Sequence, residues 1–150
     1  MSAKYFLDTN IFVYSFDLSE QRKRGVASDL IREALGSGQG AVSYQVVQEF
    51  FNVALRKFKS PFTARQCETY LESVFVPLLA VHSSIQLFER ALEIMPKLSV
   101  SWHDSLIVAA AAEAGCSLLY SEDLQDGRKV GGLEIRNPFI LKKSSASPAD

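Results

Sequence analysis

Four acidic residues stand where chemistry is built. Asp8 ends the apolar run Tyr5–Leu7 in "KYFLDTNIFVY", and Asp123 follows the apolar stretch of "LLYSEDLQDG". Asp104 falls in the first turn of "SWHDSLIVAAAAEAG", and Glu49 in the early turns of the segment after "AVSY". Four carboxylates gathered together repel one another and raise their own pKa values unless a cation sits among them. Hard oxygen donors suit Mg2+ or Mn2+, where thiols or imidazoles would suit softer ions. One or two such ions activate a water and stabilise in-line attack on a phosphodiester.

The elements that must position these acids alternate between strand and helix. Short apolar runs predict strands at Tyr5–Leu7, 41–44, 77–81, 117–121 and 134–141. Helical spacing predicts helices over 20–36, 45–58, 64–75, 84–95 and 101–115, with a short one following Asn10 as its cap. Thr63 caps the third of the long helices, Pro96 ends the fourth, and Gly115 stops the fifth. Strands alternating with helices argue for an α/β protein, a three-layer α/β/α sandwich with a mainly parallel central sheet of about five strands. Ligands in such sheets sit at the carboxyl ends of the strands. All four acids are at a strand's end or a helix's start, and such places share one sheet edge. On a helical wheel of about 100° per residue, Glu49 lies at the edge of the apolar arc, beside Val46 and Val53.

Each acid also has a plainer role. Asp8 suits a helix cap or an Asx-turn, and Asp123 suits a turn. Asp104 stands three residues after Ser101, a capping-box spacing. Glu49 suits an exposed helix face. Glu122 and Asp126 read as solvated polar residues of the loop "SEDLQDG". One acid alone decides nothing, whereas four at one edge point to a site.

Bulk properties narrow the classes. With 150 residues, 47% hydrophobic and 22% charged, the chain suits one globular domain with a real core. We expect that domain over 1–141 and a disordered polar tail, "KKSSASPAD", over 142–150. The net charge of −1 gives no global basic excess, so nucleic acid must be held by a local patch. Cys67 and Cys116 fit no metal or redox spacing and read as reduced core thiols of a cytoplasmic protein, with a single disulfide as the alternative. No signal peptide is expected, and the longest apolar run, Leu106–Ala112, is far short of the roughly 18 residues of a membrane span.

In order and at typical distances, "FLDTNIFVY", "SYQVVQEFFNV", "SWHDSLIVAAAAEAGCSLLYSEDL" and "GLEIRNPF" resemble the PIN domain, and most of all the toxin ribonucleases of VapC type. The similarity spans roughly 4–139. A lone D-T-N would be weak, whereas the ordered set is specific. The resemblance implies a metal-dependent ribonuclease whose acidic site is Asp8, Glu49, Asp104 and Asp123. Asp8, Asp104 and Asp123 would hold Mg2+ or Mn2+, and Glu49 would complete the pocket, directly or through a water. Thr9, Asn10 and Ser121 match polar positions that support the family's site. Asp126 is an additional acid without a family role. The resemblance further implies a small antitoxin partner, whose peptide covers the acidic groove, and a homodimer.

RNA needs positive surroundings. "LRKFK" and "QRKR" are the best basic runs, and Arg56, Lys57 and Lys59 follow Glu49 by about two turns. Either run also suits an ordinary solvated helix end. Trp102 beside Asp104 is placed to stack on a base or to pack against the sheet. His103 is a candidate proton donor. A haloacid-dehalogenase-like phosphatase would need an acid where Asn10 stands, and a receiver domain would need acids before Asp8. The rival from another class is a non-catalytic binding module of the same fold, acting through protein or RNA contacts.

Overall fold

The computed structural model describes residues 3–141; the tail 142–150 lies outside the described residues. Six strands, β1 (Tyr5–Leu7), β2 (Gly40–Ser43), β3 (Leu79–Val81), β4 (Leu118–Tyr120), β5 (Lys129–Val130) and β6 (Leu133–Arg136), form one sheet of order β3-β2-β1-β4-β6-β5. Every pairing is parallel except β5 with β6. The helices are α1 (Thr9–Tyr14), α2 (Gln21–Ser37), α3 (Tyr44–Arg56), α4 (Ala64–Tyr70), α5 (Val76–Leu78), α6 (Ile85–Leu98) and α7 (Trp102–Glu113). A π-helical segment, Leu71–Phe75, joins α4 to α5. None of these helices is long and apolar enough to cross a membrane.

The order of the strands explains where a site can form. The chain lays β2 and β3 on one side of β1 and then returns to lay β4 on the other. Right-handed crossovers therefore put α1–α5 on one face and α6 and α7 on the opposite face. The contacts agree: α1 packs on α2 and α3, and α6 packs on α7. The reversal puts the topological switch point at the carboxyl ends of β1 and β4, the usual ligand position in open α/β sheets.

Burial follows from the apolar runs. β1 and β2 are buried at every position, as strands covered on both faces must be. Along α7, Ser105–Ala111 are all buried, so that helix is enclosed rather than amphipathic. Phe12, Phe50 and Phe75 are fully buried, and Tyr70 stacks on Phe50 with ring centroids 4.9 Å apart. Gly40 lets β2 approach α2, since a Cβ there would lie 2.4 Å from the Ala34 Cβ. Cys116 is buried, Cys67 is half-buried, and both are free thiols.

Several local expectations are corrected. The first helix begins at Thr9 and is capped by Asp8 rather than Asn10, because the Asp8 carboxylate accepts the Thr9 N–H. Pro96 lies inside α6 and does not end it. Its ring fits the last turn, where the lost bond falls to Leu92, an exposed residue. Pro77 and Leu78 belong to α5 rather than to the third strand, since proline lacks a ladder donor but suits a helix's first turn. The final strand stops at Arg136, because Asn137 turns the chain by accepting the Phe139 N–H at 2.9 Å and Pro138 has no N–H. β5 is an additional strand, returned antiparallel through Gly131 (φ 60°) and Gly132.

Candidate active site

Asp8 is the first residue past β1, and it faces the end of the neighbouring β4. Its N–H donates to the Tyr120 carbonyl at 3.0 Å, which prolongs the ladder by one step. One carboxylate oxygen accepts the Thr9 N–H at 2.7 Å; the other accepts the Ser121 hydroxyl at 2.7 Å. The side chain is 4% exposed. Asp8 is therefore both a helix cap and a buried acid at the sheet's edge. Burial pushes its carboxyl up to about 7, against the bonds from Ser121 and Thr9 and with added push from Asp123 and Glu49.

The other acids arrive from separate elements. Glu49 comes from α3, where Gln45 lies one turn earlier on the same face. Glu49 accepts from the Thr9 hydroxyl at 2.7 Å and from the Gln45 amide at 3.3 Å, and it is paired with His103 Nε2. Asp104 comes from the first turn of α7, which Ser101 caps by accepting the Asp104 N–H at 3.1 Å. Burial raises its carboxyl, Ser101 opposes this, and Asp123 and Glu49 raise it further while His103 lowers it. Asp123 lies in the loop after β4. Its carboxylate accepts from Asn10 at 3.2 Å and its N–H donates to Ser121 Oγ at 3.2 Å.

The fold thus gathers all four expected acids closely enough to feel one another's charge. Thr9 bonds to Asp8 and Glu49, Ser121 to Asp8 and Asp123, and Asn10 to Asp123. Asp126 goes elsewhere: it accepts the Asn137 N–H at 2.7 Å and ties the loop to the end of β6. Glu122 also turns away, toward Tyr14 and Lys23. Lys23, from the run "QRKR", is therefore committed to an acid. Arg56 ends α3, roughly 10 Å along the helix from Glu49 at 1.5 Å per residue, and Lys57 and Lys59 follow it; all three are exposed. Trp102 is 38% exposed and rests on Phe88, so it packs on α6 rather than on the sheet.

Two residues escaped the sequence reading. Gln45 is buried and its amide spans the Glu49 carboxylate and the His103 carbonyl. A glutamine one turn before a candidate acid is the signal that could have found it. Ser43 ends β2 with a buried hydroxyl that has no hydrogen-bond partner among the described residues. It is a small polar side chain at the carboxyl end of a strand.

The donor set suits a hard divalent cation. It is rich in carboxylate oxygen, and its charges work against one another. Among the described residues no lysine or arginine pairs with Asp8, Asp104 or Asp123. Among the described residues no three metal-ligating side chains are drawn around one point.

Comparison with known proteins identifies the family and the fold. The PIN domain matches residues 5–131. No curated protein matches the chain in sequence. Its fold is similar to that of a toxin–antitoxin complex from Klebsiella pneumoniae, at 18% identity and TM-score 0.64, covering 92% of this chain and 100% of that one. It is similar to DNA-bound VapBC from Salmonella typhimurium, at 18% identity and TM-score 0.62, covering 91% and 98%. It is also similar to VapC20 of Mycobacterium tuberculosis, a toxin that cleaves the sarcin–ricin loop, at 18% identity and TM-score 0.57, covering 79% and 88%. The strand order, the acids at its switch point and a family match over most of its length agree: the chain belongs to the PIN domain family.

Proposed function

We propose that this protein is a metal-dependent ribonuclease and the toxin of a toxin–antitoxin pair. The observation that carries the reading is the convergence of Asp8, Glu49, Asp104 and Asp123 from four segments onto one sheet edge, with Asp8 almost fully buried. Asp8, Asp104 and Asp123 would hold the Mg2+ or Mn2+. When bound, such an ion supplies an activated water and offsets charge on the phosphate oxygens. Ser121 and Thr9 fix the Asp8 carboxylate, and Asn10 orients Asp123. Glu49, held by Thr9 and Gln45, is placed to orient an attacking water or take its proton. Arg56, Lys57 and Lys59, at and just past the end of α3, extend the contact to RNA phosphates.

The fold's likeness to toxins solved in antitoxin complexes supports an antitoxin partner, which in this reading covers the acidic edge. Exposed Val76, Ile85 and Leu92 offer apolar surface for a homodimer. The ribonuclease reading is tested by incubating the purified protein with a mixture of structured and unstructured RNA. Cleavage is expected in Mn2+ or Mg2+, lost in EDTA and restored by excess metal. Cleavage that persists in EDTA would overturn the metal dependence, and an absence of cleavage across the mixture would favour the binding-module reading.

A further inference from the structure

The loop that carries Asp123 is gripped from outside the acidic cluster. Asn10 and Tyr14 lie one turn apart on α1 and share a face. Asn10 Oδ1 accepts the Glu122 N–H at 3.4 Å, and Tyr14 donates to Glu122 Oε1 at 2.7 Å. Lys23 closes the group from α2, with Nζ 2.5 Å from Glu122 Oε2. The ammonium also lies 4.7 Å from the centre of the Tyr14 ring and 5.7 Å from that of Phe139. The two charged side chains are only 22% and 25% exposed, so water screens this pair less than one on an open surface. Glu122 sits between Ser121, which donates to Asp8, and Asp123 itself. Whatever fixes Glu122 fixes both.

We infer that Lys23 is a positioning residue for Asp123: together with Tyr14 it clamps Glu122 and so sets the loop where Asp123 faces the other carboxylates. This rests on the metal-site reading above. An ordinary surface pair would stabilise the fold slightly and leave the site alone, whereas a clamp changes the loop and the metal site at constant global stability.

The test compares wild type, Lys23→Met, which keeps most of the apolar stem, and Lys23→Arg, which keeps the charge. Amide hydrogen exchange is followed in the metal-free proteins, and Mn2+ is then titrated into each. In Lys23→Met the Glu122 and Asp123 amides are expected to exchange about tenfold faster, with Mn2+ bound about tenfold more weakly, the lower range for loss of a partner that orients a ligand. Lys23→Arg is expected to recover most of both. Should Lys23→Met lose global stability, Tyr14→Phe removes one bond to Glu122 with the ring kept and is expected to shift both readouts in the same direction. Unchanged exchange, or unchanged Mn2+ affinity, in a folded Lys23→Met protein overturns the clamp. If wild type takes up no Mn2+, the metal reading fails by itself, and the exchange comparison still decides whether Lys23 holds the loop.

Discussion

Asp104→Asn is expected to lose at least about a hundredfold in RNA cleavage while melting close to wild type. Loss of a residue that merely orients a metal ligand already costs about 10- to 100-fold, and here a carboxylate proposed as a ligand is itself removed. The fold should be spared because the capping bond at this point belongs to the Asp104 N–H, which donates to Ser101 and is untouched by the substitution. The enclosed stretch Ser105–Ala111 that anchors α7 is untouched as well. Glu49→Gln makes a useful contrast. Glu49 is assigned to orienting water, so its amide should lower kcat with smaller change in metal affinity. Cleavage by Asp104→Asn at the wild-type rate would sink the assignment.

Asp8→Asn is expected to stabilise the metal-free fold at neutral pH even as it destroys activity. Burial, with Asp123 and Glu49, pushes the Asp8 carboxyl from an ordinary value of 3.8 up to about 7. Between those values the folded chain holds a proton that the unfolded chain releases. Stability therefore falls as pH rises through that window, is free of this penalty below it, and carries the penalty in full above it. At about 1.4 kcal/mol per pH unit over that interval, the full penalty is on the order of 4–5 kcal/mol. Asparagine keeps an acceptor for the Thr9 N–H and carries no charge. Urea unfolding in EDTA at pH 5 and pH 8 checks this. Wild type should lose stability across the interval from Asp8, the variant should lose much less, and equal slopes would contradict the account.

Much of this was legible in sequence, for identifiable reasons. Tyr5–Leu7, the stretch around Val42 and the stretch around Leu119 are unbroken apolar runs, and a strand buried on both faces reads that way. Asp8, Asp104 and Asp123 stand out because each lies close to such a run or to a capped helix start, whereas Glu49 stands out only by its place on the helical wheel beside Val46 and Val53. The two-residue β5 is too short to carry a period, so its only trace is the Gly131–Gly132 turn. Pro96 was misread because a proline near a helix's last turn disrupts little. The partnership of Lys23 with Glu122 spans 99 residues of chain, so no local pattern announces it. Asp126 reads as a solvated loop residue because its bond to the Asn137 N–H spans 11 residues and leaves no local pattern.

The central claim is that Asp8, Asp104 and Asp123 form one divalent-cation site. Anomalous diffraction from crystals soaked in Mn2+ tests it most directly. The account predicts a single strong peak at the sheet's carboxyl edge, within coordination distance of oxygens from these three residues, and its loss in Asp104→Asn. A peak elsewhere on the protein, or none at saturating Mn2+, would contradict it.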